Sequence, residues 1–134
     1  MLLDSNIEFL VIHCSDTEDK KNLRAPDIHK MHLDFGWDGI GYHKIIKRSG
    51  KIENGRPEYW IGAHVKGQND VSLGVCLIGK NNFTKNQFIS LKRVLKKWKK
   101  SYPDAKIVGH KDTGYTKKTC PNFDVIHWSK NIFI

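Results

Sequence analysis

The chain has 134 residues, 39% of them hydrophobic and four of them tryptophan, which suffices for one folded domain with its own core and excludes a disordered chain. No apolar run approaches the roughly 18 residues that a membrane-spanning helix needs. The net charge is +9, and so basic a balance points to anionic partners.

The first residues, MLLDSNIEF, lack a basic stretch and interrupt their apolar positions with Asp4 and Glu8. No secretory leader is expected, so the reading is cytoplasmic synthesis. Residues 7–14 follow as a nearly continuous apolar, β-branched run and read as a buried strand. Pro26 suits the first turn of a helix, which carries Ile28, Met31, Leu33 and Phe35 and ends near Gly36. Residues 42–53 read as a hairpin, with strands over 42–47 and 51–53 and a turn at Arg48-Ser49-Gly50. Residues 71–78 form another apolar strand, closed by Gly79.

Thr84 and Gln87 make a capping box, Phe83 and Phe88 its hydrophobic staple, and Pro103 follows the end of the helix they open. Phe88, Leu91, Leu95, Trp98 and Tyr102 recur every three or four residues as the buried stripe. Between Val71 and Pro103 lie eight basic residues and no acid, so nearly all of the charge excess belongs to this segment. Its lysines fall on the outer face of the helix. A solvated face accounts for them, and attraction to an anionic polymer, wall or nucleic acid, is the alternative. Residues 105–109 form a short strand that delivers His110 at its end. With no repeat and no linker, the chain reads as a single α/β domain over residues 1–134, a central mixed β-sheet flanked by helices, and as a monomer.

Seven histidines and three cysteines carry the candidate chemistry. Cys14 and Cys76 sit in apolar runs and read as buried, reduced thiols. Cys120, among Lys, Thr, Pro and Asn, does not. His29 and His32 share a helical face without a third ligand nearby and read as surface residues, and His127 reads as structural. Tyr42 and His43 should point to opposite faces of their strand, as should His13 and Cys14. His13 and His110 both stand at strand exits. With a Cys120 thiolate they would make a three-ligand set suited to zinc, its fourth position left open. On residue types alone, packed core histidines remain the commoner outcome.

The blocks IHCSDT, GYHKIIKRSGKIENGR, GAHVKGQNDVSLGVCLIG and GHKDTGYTKKTCPNFD occur in that order. Together they resemble the zinc-dependent N-acetylmuramoyl-L-alanine amidases, and in particular the bacteriophage lysozyme-type amidases and the peptidoglycan recognition proteins. The resemblance spans residues 7–128 and implies that fold. It also implies one Zn2+ on His13, His110 and Cys120, peptidoglycan as substrate, and a phage- or prophage-type endolysin that reaches the wall after release. None of the three ligand positions is replaced, unlike in noncatalytic recognition proteins. The resemblance places Tyr42 and Lys118 in catalysis: Tyr42 to hold the attacking water or relay a proton, Lys118 to stabilise the oxyanion. It places His64 on the substrate side; Asn69, in the same polar turn, is a further substrate candidate, and Trp37 and Trp60 are candidates for the groove because flat aromatic faces suit sugar rings. Asp112 is the expected outer partner of a ligand histidine, and Lys117 a surface residue. Because a phage member also binds its phage's RNA polymerase, the resemblance raises polymerase or nucleic-acid contact through the basic helix.

Overall fold

The computed structural model describes residues 6–114 and 119–132. Its strands are β1 (Phe9–Cys14), β2 (Lys44–Ile46), β3 (Ile52–Asn54), β4 (Ser72–Leu77) and β5 (Lys106–Gly109), and its α-helices are α1 (Ala25–Asp34), α2 (Lys85–Ser101) and α3 (Val125–Lys130). The strands form one sheet in the order β3-β2-β4-β1-β5. The hairpin pair β2–β3 is antiparallel, while β2–β4, β4–β1 and β1–β5 are parallel. The sheet is therefore mixed, as expected.

β1 is paired on both edges, so it must be apolar on both faces, and its run FLVIHC meets that demand. One face of the sheet, with Leu10, Ile12, Ile46, Val75 and Leu77, packs on Leu91, Leu95 and Trp98 of α2 and on Val125 of α3. The other face, with Ile45, Cys76 and Ile78, packs on Ala25 and Ile28 of α1. Leu91 and Leu95 are wholly buried, so truncating either to alanine should cost about 2–5 kcal/mol.

The capping box of α2 forms as read: Gln87 N–H donates to Thr84 Oγ1 at 3.0 Å, and Thr84 N–H to Gln87 Oε1 at 3.0 Å. Phe83 and Phe88 meet with centroids 6.3 Å apart. The buried Gln87 amide also donates to the carbonyls of Ile46 and Ile78, at 3.2 and 2.9 Å. The start of the basic helix is thereby fixed to the ends of β2 and β4.

α1 begins one residue before Pro26, with the Asp27 carboxylate accepting from Arg24 N–H at 2.8 Å. His32 is not a surface residue: it is buried, and its Nδ1 accepts from Gly41 N–H at 2.9 Å. The reason is periodicity, since Ala25, Ile28 and His32 share the inner face of α1. His29 is exposed, as read. α3 has no counterpart in the sequence reading, although Asp124 caps it by accepting from His127 N–H at 3.0 Å. His127 is exposed rather than structural, because the inner positions of that helix are Val125 and Trp128. Among the described residues no helix is long and apolar enough to cross a membrane.

Burial holds the imidazoles of His32 and His43 below the usual histidine range. The unfolded chain therefore takes up protons before the folded one, and stability falls as pH drops below about 6.5. Urea midpoints measured from pH 7 to pH 5 should decline, and His43→Gln, which cannot titrate, should flatten part of that slope.

Candidate metal centre and groove

Register decides the centre of the site. Ile12 pairs with Gly109, so the next residues, His13 and His110, leave parallel strands side by side with ring centroids 4.6 Å apart. The chain then turns through His110–Thr113 and returns at Cys120, whose carbonyl accepts from Lys111 N–H at 2.9 Å. One ligand atom from each of His13, His110 and Cys120 lies within 4.8 Å of the other two. The donor set is two imidazoles and a sulfur, three protein groups with a groove on the open side, and it fits zinc in kind and in number.

His13 is buried and faces the α1 side of the sheet, against the rings of Tyr42 and His64 at 5.0 Å each. Cys14 contributes differently. Its backbone N–H donates to Cys120 Sγ at 2.8 Å, and its own sulfur lies 4.0 Å from Asn122 Nδ2. Interaction with the Cys14 side chain, reinforced by burial, pushes the Cys120 thiol up, and the bond from the Cys14 N–H opposes it. A cation that takes this sulfur must displace its proton, so its affinity weakens in acid. Cys14 and Cys76 are reduced and buried, as read, and Cys120 is likewise a free thiol.

A hydrogen-bond chain sets the tautomers. Ser72 Oγ donates to Gln68 O at 2.7 Å, so it accepts from His64 Nε2 at 3.3 Å. His64 Nδ1 is then an acceptor, and His13 Nε2–H donates to it across 2.9 Å. Nδ1 is consequently the ring nitrogen with which His13 can ligate. Burial holds His64 well below the usual histidine range, which keeps this chain neutral. His43, turned away from Tyr42, pins the same loop by accepting from Gly74 N–H and donating to Trp60 O, at 3.0 and 2.8 Å. Tyr42 is pushed well above its ordinary value by burial, so its phenol remains a proton donor at neutral pH.

The groove holds about 880 Å³. Trp37 lines it, with its ring 4.6 Å from His32 and 5.5 Å from the exposed Phe35. Asn69 lines it too, but its Oδ1 accepts from the backbone N–H groups of His64 and Val65, both at 2.8 Å, and so shapes the His64 loop. Trp60 is not in the groove. It borders a second cavity on the far side of α1, with Arg24 and Arg56. Asp112 accepts from Gly109 N–H at 2.8 Å and closes the turn that carries His110, acting on the backbone instead of an imidazole. Lys117 and Lys118 lie outside the described residues. Ser72, Phe35 and Gly74 escaped the sequence reading. A side chain at Gly74 would put Cβ 2.6 Å from His64 Nδ1, yet a lone Gly inside a strand signals only some close approach.

The N-acetylmuramoyl-L-alanine amidase family matches residues 3–123. This chain belongs to that family. Among its amidase relatives, the endolysin of Enterobacteria phage K11 is 39% identical over 89% of this chain and 83% of its own. The endolysin of Escherichia phage T7 is 38% identical over the same shares. Of solved structures, the Clostridium intestinale amidase LysCS superposes with a TM-score of 0.80 at 30% identity, covering 89% of this chain and 77% of that one. Bumblebee PGRP-SA superposes at 0.83 with 26% identity, covering 97% and 83%.

Gly74→Ala should displace the His64 ring. Overpacking should cost about 1–3 kcal/mol of stability, and misplacing a group at the site should slow amide cleavage by on the order of tenfold or more. Thermal melts and initial rates check the two effects.

Proposed function

We propose that this chain is an endolysin-type amidase that uses one zinc ion to hydrolyse the amide between the lactyl group of N-acetylmuramic acid and L-alanine in peptidoglycan. The observation that carries the reading is the convergence of His13, His110 and Cys120 at the floor of an open groove, in a chain of the amidase family. Endolysin relatives, of which this chain covers 83%, support the setting, in which the enzyme acts on the wall after release.

Zinc held by these three residues would lower the pKa of water towards about 7 and polarise the carbonyl. The protein supplies the rest. His13, held in one tautomer by His64, presents Nδ1 at the floor. Tyr42, still protonated at neutral pH, can orient water or deliver a proton to the departing amine. Lys118, two residues before Cys120 in the sequence, is assigned to the oxyanion, where one preorganised cation contributes about 2.7–4 kcal/mol. The wall of the groove formed by His32, Phe35 and Trp37 offers flat faces to the sugar or stem, and His64 and Asn69 border the opposite side. The reaction breaks one C–N bond, leaving a carboxylate on the glycan and an ammonium on the peptide.

Metal analysis with digestion of a soluble muropeptide tests the assignment. Cys120→Ser should lose zinc and turnover together. Lys118→Ala should retain zinc while turnover falls about 100-fold or more. If both variants cut as fast as the parent, the site is elsewhere.

A further inference from the structure

The outer face of α2 carries basic residues and no acid. Lys85, Lys92, Arg93, Lys96, Lys97 and Lys100 are all exposed, and among the described residues none is ion-paired. Lys99 differs, since its ammonium donates to the carbonyls of Pro103 and Ala105 at the end of the helix. Lys92, Lys96 and Lys100 form one i, i+4 row, about 12 Å long at 1.5 Å per residue, with Arg93 and Lys97 in the next. Each such like-charged pair weakens the helix. Packing of Leu91, Leu95 and Trp98 keeps it folded despite the repulsion, so this face is held charged at a cost that an anionic partner would relieve.

The face points away from the catalytic groove. α2 covers the side of the sheet that carries Ile12 and Val75, whereas His13 and Cys76 face the side covered by α1. A small substrate cannot touch both, but a polymer can.

We propose that the α2 face is a docking surface for the anionic wall polymer itself, holding the enzyme on peptidoglycan while the groove cuts. The proposal rests on the amidase reading, and the bond being cut identifies the partner. Each stem peptide is tethered through its α-amine, so its carboxyl terminus has no balancing ammonium. Each cut then leaves a lactyl carboxylate on the glycan. The strand is anionic before and after cleavage, and the matching charge is on α2. Single-stranded nucleic acid fits less well. The exposed large apolar group on this face is Ile89, with no exposed aromatic ring on which a base could stack.

The test compares the parent with a variant in which Lys92, Arg93, Lys96, Lys97 and Lys100 are all glutamine, and with a control carrying Lys20→Gln and Lys21→Gln. Co-sedimentation with purified sacculi should show the α2 variant binding on the order of tenfold more weakly at physiological salt, with the control unchanged. Its thermal midpoint should equal or exceed the parent's. Its cleavage of a soluble muropeptide should stay within about twofold while digestion of sacculi slows on the order of tenfold. Equal sedimentation of parent and α2 variant overturns the proposal, as does tighter binding of the parent to a DNA duplex or to anionic lipid vesicles than to sacculi. Failure of the parent to cut the soluble muropeptide would instead reject the amidase reading, and sedimentation would still decide the α2 face.

Discussion

Parallel pairing of β1 on both edges is the constraint on which the site depends. β4 and β5 lock its register from either side, and that register sends His13 and His110 out of the sheet together. A slip of one residue would move His13 to the α2 face, among leucines and Trp98, and bury a polar ring without partners. The candidate metal centre is thus a by-product of strand pairing. Only Cys120 arrives from a loop, and backbone bonds to Lys111 and Cys14 bring it in.

Around this centre the protein buries His13, His32, His43 and His64, a costly choice unless each ring is satisfied. His32 is bonded to Gly41, His43 to Gly74 and Trp60, and His64 to His13 and Ser72. Because burial favours the uncharged form, the same arrangement keeps the His32, His43 and His64 imidazoles neutral around the site. Stability and chemistry place the same demand on these residues.

Much of this was legible from residue order. The strand ending in His13, the capping box and apolar stripe of α2, and the hairpin are local patterns, and the structure retains them with bounds shifted by a residue or two. His13 and His110 stand where an apolar run gives way to polar residues and Cys120 is a thiol in a polar stretch, but it took the resemblance to the amidases to join the three. The rest depends on contacts distant in sequence. His32 looks like a surface histidine until Gly41 folds back beneath it, and nothing in the residue order shows that Asn69, which lines the groove, also spends its carbonyl oxygen on the His64 loop. Trp60 follows the GYH block closely yet ends across α1 from the groove. α3 was missed because Asp124 and Val125 offer a cap and one anchor, too little periodicity in a helix of six residues.

The attachment of α1 has a further consequence. Its first amide, at Ala25, donates to Glu53 of the hairpin at 2.8 Å, and His32 near its other end holds Gly41. A helix moored at both ends cannot swing like a lid, so the cleft is shaped before anything enters it. Along the wall that α1 forms, discrimination then rests on fit to a standing mould.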